Sequence, residues 1–208
     1  MVETWHISMN DNRTQQLMNK DSVLASLIAD IGDVNRNLRT DPLKSLIRSI
    51  VGQQITVKAA AAIFERLTQK INNEWSVDRI SKLTQEDMVA IGLSKPKQQY
   101  LFNLIEHIKN NKLEFSQFDS LSNDDIIKQL TAVKGIGKWT AEVFLIFTMQ
   151  REDVVPIDDV GLQRAAKRLY KVPDDNGKAL LKKCQATWGA QATIGCLYLW
   201  AYIHKYNI

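Results

Sequence analysis

Cysteine is scarce in this 208-residue chain: Cys184 and Cys196 are all it has. Both fall in helical patterns, and an isolated pair makes no disulfide framework. They read as reduced thiols of an intracellular protein. Four thiolates for an iron–sulfur cluster are not there. The three histidines, His6, His107 and His204, are scattered, so no zinc cluster is visible; they read as surface or helix-packing residues. No apolar run reaches the ~20 residues of a membrane span. No N-terminal stretch has the charge and apolar pattern of a secretion signal. β-branched runs with strand alternation are few, and no internal repeat or low-complexity tract stands out. Charge of either sign is modest: 27 Lys and Arg against 23 Asp and Glu leave a formal +4. That balance is compatible with nucleic acid but does not establish it.

What the chain does have is apolar residues at a period of 3.6. Apolar content is 45%, ordinary for a globular protein. Val23, Leu24, Leu27, Ile28 and Ile31 make one amphipathic face, ended by Gly32. Asp41-Pro42 opens the next helix in the favoured cap-then-proline order. Its apolar face is Leu43, Leu46, Ile47, Ile50 and Val51. Another helix runs from about Thr56 to Lys70, with Ala59–Ala62 permitting close helix packing. Thr84 with Asp87 reads as a cap, and a helix from about Pro96 to Lys109 follows Gly92. The segment 84–108 is thus a helix–glycine–helix unit without a GxG turn, and reads as scaffold. Further helices fall near Val160–Leu169, from Asn176, and over roughly Gln191–His204. The sum predicts an all-α protein of about ten helices, with a short extended arm open at Thr4–Ile7. Its length suits one sizeable domain or two small ones sharing a cleft.

The stretch from Leu130 to Asp159 is the most informative. Ser122 with Asp125 fits a capping box, and Ile126, Ile127, Leu130 and Val133 follow at helical spacing. Gly135 and Gly137 then interrupt, and Lys138–Gln150 resumes as an almost wholly apolar helix. Alternate glycines let the backbone turn sharply and approach another surface. Unpaired amides at the second helix's start form a small anion site, which a phosphodiester fits in charge and shape. The competing reading is a joint that uses glycine only for packing. Asp158 and Asp159 follow Pro156 and precede the helix at Val160. Such a carboxylate either caps that helix or does chemistry beside the phosphate grip. Together these features point to an enzyme acting on nucleic acid.

VKGIGKWTAEVFLIF followed by VPIDDVG resembles the helix–hairpin–helix superfamily of base-excision DNA glycosylases, and within it the bacterial 3-methyladenine (AlkA-type) branch. DPLKSLIRSIVGQQITVKAAAAIFERL resembles that branch's early helix and its intercalating loop. IGLSKPKQQYLFNLIEHI and CLYLWAYIHKY extend the likeness, which covers roughly Asp21 to the C-terminus. The resemblance implies two all-helical domains flanking a DNA-binding cleft. Residues 1–40 would pack with the C-terminal helices of 151–208, and 41–150 would form the central domain with the hairpin. It implies Asp159 as the catalytic carboxylate and Asp158 in a loop or helix-cap role. Lys134, Gly135, Gly137 and Lys138 would hold the DNA phosphate. Trp139, Val143 and Trp200 would line the base pocket, and Gln53 and Gln54 would enter the duplex.

Three departures stand out. Lys134 replaces a frequent proline, and Val143 replaces a frequent aromatic, which changes the pocket wall. WGAQATIGCLYLW lacks the usual arginine and extra aromatics. No strand-rich region precedes Asp21, unlike in longer relatives.

The implied reaction is hydrolysis of the N-glycosidic bond of alkylated purines such as 3-methyladenine, leaving an abasic site. Bifunctional members carry a Schiff-base lysine where Trp139 stands, so strand cleavage is not expected. Uracil or oxidised purines are alternative substrates, and a noncatalytic DNA-binding protein or a helical interaction scaffold are alternative classes. The chemistry calls for no cofactor, no residue is assigned as a metal ligand, and no iron–sulfur cluster is expected; a monovalent cation supporting the hairpin is left open. The expected partner is damaged double-stranded DNA, not a membrane, and the expected state is a monomer in the cytoplasm, associated with the nucleoid.

Overall fold

The structure, a computed structural model, describes residues 3–208. Strands β1 (Thr4–Ile7) and β2 (Val34–Asn37) bracket helices α1 (Asn12–Lys20) and α2 (Ser22–Ile31). There follow α3 (Pro42–Gly52), α4 (Val57–Lys70), α5 (Val77–Ser81), α6 (Gln85–Ile91) and α7 (Lys95–Lys109). Then come α8 (Asn123–Thr131), α9 (Lys138–Phe147), α10 (Val160–Leu169), α11 (Gly177–Trp188) and α12 (Ala192–Tyr206). Short 3-10 turns lie at Phe115–Ser120 and Gly189–Gln191. The protein is predominantly α-helical, as the periodicity requires. Contacts cluster into two units: Arg39–Phe144, and Leu145–Ile208 together with the chain up to Leu38.

The cap signals explain most helix starts. Asp41 accepts from Lys44 N at 2.9 Å, with Pro42 in the first turn. Thr56 accepts from Ala59 N, and Thr84 with Asp87 forms a reciprocal capping box. Ser122 accepts from Asp125 N at 3.2 Å. Each such cap contributes about 1 kcal/mol.

In the unit formed by Arg39–Phe144, Leu46, Ile47 and Ile50 of α3 are buried with Leu67 of α4, Leu104 of α7 and Leu130 of α8. Phe118 and Phe144 meet edge to face at 5.9 Å. The alanines of α4 differ from their reading as a packing surface: Ala59, Ala61 and Ala62 are exposed, and Phe64 and Leu67 are the buried face. Ala60 and Ala61 border a cavity instead.

In the other unit, α12 is buried continuously from Ala192 to Leu199. Gly195 lets it close on α11: a Cβ there would lie 2.5 Å from Trp188 Cε3. β1 and β2 pair antiparallel, with Thr4 opposite Asn37 and Ile7 opposite Val34. Trp5, Ile7 and Val34 face inward, so the extended arm at Thr4–Ile7 is a strand. Its paired residues lie 27 to 33 positions further along the chain, which no local pattern announces. α1 was also missed by periodicity, because only Thr14 and Leu17 of its nine residues are buried. α5 is likewise an addition, too short at five residues to show a period. α9 stops at Phe147, before the expected Gln150, whose φ of +54° is incompatible with continuing the helix.

Candidate active site

The hairpin turn is built from the buried side chains that flank it. Val133 and Ile136 are buried, and Ile136 N donates to Val133 O at 2.9 Å. The two glycines between α8 and α9 differ in kind. Gly135 has φ +108°, and a Cβ there would stand 2.2 Å from Tyr100 Cγ, so both backbone and space demand glycine. At Gly137 a Cβ would meet nothing within 4 Å, so this glycine keeps the turn bare. The first helical bond of α9 runs from Ala141 N to Gly137 O at 3.1 Å. The amides of residues 138–140 therefore lie outside the intrahelical ladder, at the positive end of the helix. Lys134 is exposed beside them. Lys138 is exposed too and lies 3.7 Å from Glu142 Oε1 one turn on.

The loop after α3 reaches this turn. Gln53 Nε2 donates to Gly135 O at 2.8 Å. Gln54 is exposed with φ +54°, a left-handed conformation that costs a non-glycine residue about 1–2 kcal/mol. The two glutamines are thus not equivalent: one is tied down and the other is presented to solvent.

Gln53, Gln54, Trp139 and Val143 line one cavity of about 590 Å³. Trp139 is 43% exposed, so it is not core filling. Arg39 and Arg48 share the same wall and were not foreseen. Arg39 Nη1 donates to Ser49 Oγ at 3.2 Å; burial and then the neighbouring Arg48 charge hold its pKa below the usual arginine value. Arg48 lies 5.1 Å from the Phe64 ring centroid, and Phe64 stacks on Trp75 at 5.0 Å. Nothing in the local sequence separates these arginines from ordinary surface cations.

In the other unit, Asp159 is the N-cap of α10. Its Oδ1 accepts from Leu162 N at 2.8 Å, and its own N–H donates to Pro156 O at 2.9 Å. Gly161 leaves room for the carboxylate, since a Cβ there would lie 3.1 Å from Asp159 Oδ1. This corrects the expected division of roles: the cap is Asp159, not Asp158. Asp158 is exposed in the loop and pairs with Lys178 at 2.6 Å. An ion pair that open contributes at most about 1 kcal/mol.

The approach to Asp159 is pinned by Thr193, which sequence reasoning passed over. Thr193 N donates to Glu152 O at 2.8 Å, and its buried hydroxyl accepts from Val154 N at 3.0 Å. The same hydroxyl lies 2.8 Å from Arg151 O. Trp200 is half-buried and packs against Phe147 at 5.5 Å. Phe147 is a second unforeseen aromatic; at the end of an apolar helix it reads as core. Among the described residues, no three His, Cys, Asp or Glu side chains gather to hold a metal ion.

Residues 47–190 match the HhH-GPD superfamily of base excision DNA repair proteins. This chain belongs to that superfamily. The matched span contains Gln53, Gln54, the hairpin and Asp159, and stops short of Trp200. The DNA-3-methyladenine glycosylase 1 of Schizosaccharomyces pombe is 33% identical over 80% of this chain and 75% of its own. A crystal structure of a DNA-3-methyladenine glycosidase from Bacillus halodurans superposes with a TM-score of 0.90 at 34% identity, covering 98% of this chain and 94% of that one. The S. pombe 3-methyladenine DNA glycosylase bound to abasic DNA superposes with a TM-score of 0.84 at 30% identity, over 93% and 97% of the two chains.

Proposed function

We propose that this superfamily member is a monofunctional DNA-3-methyladenine glycosylase, hydrolysing the N-glycosidic bond of alkylated purines in duplex DNA and leaving an abasic site. The observation that carries the reading is the combination of a bare glycine turn at the start of α9 with the Asp159 carboxylate at the start of α10. Relatives at 33% and 34% identity named for that activity support it.

In this reading the open turn at Gly137 and the first amides of α9 accept a phosphate near the lesion, with Lys134 adding charge. Gly135 shapes the turn through its left-handed backbone and its close approach to Tyr100. Gln54 fills the stack that the flipped nucleotide leaves, while Gln53 braces the loop from behind. The base enters against Trp139, with Val143 leaving more room than an aromatic would. As the glycosidic bond lengthens, positive charge develops on the sugar. Asp159 stabilises that charge and orients or deprotonates the attacking water. Its Oδ1 accepts the cap bond, which fixes the side-chain rotamer before substrate arrives.

Trp139 cannot form a Schiff base. Lys138, the adjacent helical residue, points about 100° away from it. Base release without strand cleavage follows. The guanidiniums of Arg39 and Arg48 oppose a cationic base in their cavity. Preference for alkylpurines therefore rests on their quality as leaving groups more than on charge attraction. The same arginines and Val143 favour a second reading, in which a neutral base with carbonyl acceptors, such as uracil or an oxidised purine, is also taken.

Single-turnover release from duplexes carrying 3-methyladenine, uracil or oxidised guanine tests both. Release of the alkylpurine with no strand nicking is the expected result. Release of uracil or oxidised guanine with no action on alkylpurines overturns the assignment.

A further inference from the structure

Helix α7, within the segment that reads as scaffold, touches both the end of α3 and the glycine turn. Lys97, Tyr100 and Asn103 follow at i, i+3 and i+6 on α7, which places them along one face. Lys97 is 8% exposed, and its Nζ donates to Val51 O at 2.7 Å, in the last turn of α3. That carbonyl is one the helix leaves unsatisfied, at its negative end. Tyr100 fills the space where a Gly135 Cβ would stand. Asn103 Nδ2 donates to Lys134 O at 3.2 Å, in the glycine turn. Gln53 closes the circuit by donating to Gly135 O at 2.8 Å. The six helical steps from Lys97 to Asn103 span roughly 9 Å. One end of that span holds the loop bearing Gln54, and the other holds the phosphate turn.

A helix needed only for packing would present apolar residues here. This one buries an ammonium group, which is expensive unless it is hydrogen-bonded. Burial accordingly holds the Lys97 pKa below the ordinary lysine value. What the buried charge secures is the position of a loop end.

We propose that the Lys97–Tyr100–Asn103 face of α7 fixes the spacing between the Gln54 loop and the Gly135–Gly137 turn, making these three side chains positioning residues for duplex opening. The inference rests on the glycosylase reading for its purpose, but its test does not need base release.

The probe is a duplex carrying a stable tetrahydrofuran abasic analogue with 2-aminopurine beside it. Its fluorescence reports insertion of the loop. Lys97→Met, Asn103→Ala and Tyr100→Ala are compared with Lys97→Arg and Tyr100→Phe, alongside thermal melting and anisotropy on undamaged duplex. Lys97→Met and Asn103→Ala are expected to melt cooperatively and to bind undamaged duplex within about two-fold of wild type. Their insertion rate falls on the order of ten-fold or more, the scale of one hydrogen bond lost from the support of the loop. Lys97→Arg and Tyr100→Phe recover most of the insertion signal. The double variant K97M/N103A loses less than the product of the single losses, because both bonds serve one circuit.

Wild-type insertion by folded K97M and N103A overturns the proposal. So does a loss of insertion that merely parallels a loss of undamaged-duplex binding. Should K97M not fold, the more exposed Asn103 carries the same test. Absence of base release by the wild-type protein sinks the glycosylase reading and leaves the insertion result standing.

Discussion

Asp159 holds two positions at once: it caps α10 through Oδ1 and is the proposed catalytic carboxylate. Asn at this site keeps the volume and a cap acceptor but loses the charge. Asp159→Asn should therefore melt near wild type while single-turnover excision falls on the order of 10² or more. Damaged-DNA affinity should hold or rise, since a negative charge near phosphates is removed. Asp158→Asn removes the charge of the exposed pair with Lys178 and should leave excision within a few-fold. Near-normal excision by D159N, or collapse of D158N in a folded protein, would reject this division. The glycines allow a similar contrast. Gly135→Ala forces a Cβ into Tyr100 at a positive φ and should destabilise the fold by roughly 2–4 kcal/mol in urea titration. Gly137→Ala has space, so its stability should change little while DNA affinity drops. Equal melting temperatures for the two variants would contradict the assignment.

At the scale of elements, Asp21 joins three helices. Its Oδ1 caps α2 by accepting from Leu24 N at 2.9 Å, and its Oδ2 accepts from Trp188 Nε1 at 2.8 Å and from the Tyr170 hydroxyl. Asp21→Ala removes the cap and leaves the buried Trp188 indole N–H and the half-buried Tyr170 hydroxyl without their acceptor. The expected loss is about 2–4 kcal/mol. A loss below about 1 kcal/mol would mean that water replaces the carboxylate. Cys184 packs in the same region, 5% exposed, and burial pushes its thiol up to about 11. A thiol titrating that high is protonated at neutral pH, and the thiolate is the reactive form. Iodoacetamide at pH 8 should therefore label Cys184 slowly in the folded protein. The rate should rise as pH approaches 11 or as denaturant opens the helices. Rapid labelling at pH 8 without denaturant would show that α11 opens locally.

For the whole molecule, the formal charge of +4 is small, so DNA affinity must come from placed cations and amides more than from a general field. Binding should still weaken with salt through counterion release. Lys134→Ala should lower the slope of log K against log salt by about 0.9, the contribution of one phosphate contact. Lys138 has Glu142 as a neighbour at 3.7 Å, so its removal should change the slope less. An unchanged slope for K134A would place the phosphate elsewhere. Borohydride added to a reaction on damaged duplex should trap no covalent complex, and efficient trapping would overturn the monofunctional assignment.

Periodicity and caps determine much of this protein by themselves, because both act within one or two helical turns. The face Leu43, Leu46, Ile47, Ile50 and Val51 is buried throughout, and Asp41, Thr84, Ser122 and Asn176 all cap the helices they precede. The hairpin glycines were visible for the same reason: a turn with φ +108° between two helices leaves few other residues open. What local pattern could not reach is decided by chain segments that meet only on folding. The identity of the capping aspartate depends on which carboxylate faces Leu162 N, one residue in register. The pairing of Val34 with Ile7, the grip of Thr193 on the Asp159 loop and the bonds from Gln53 and Lys97 to distant carbonyls all join residues far apart in sequence. A glutamine or lysine has the same appearance in sequence whether it is solvated or holds a loop. Only its surroundings remove the water and leave a single carbonyl to accept its hydrogen.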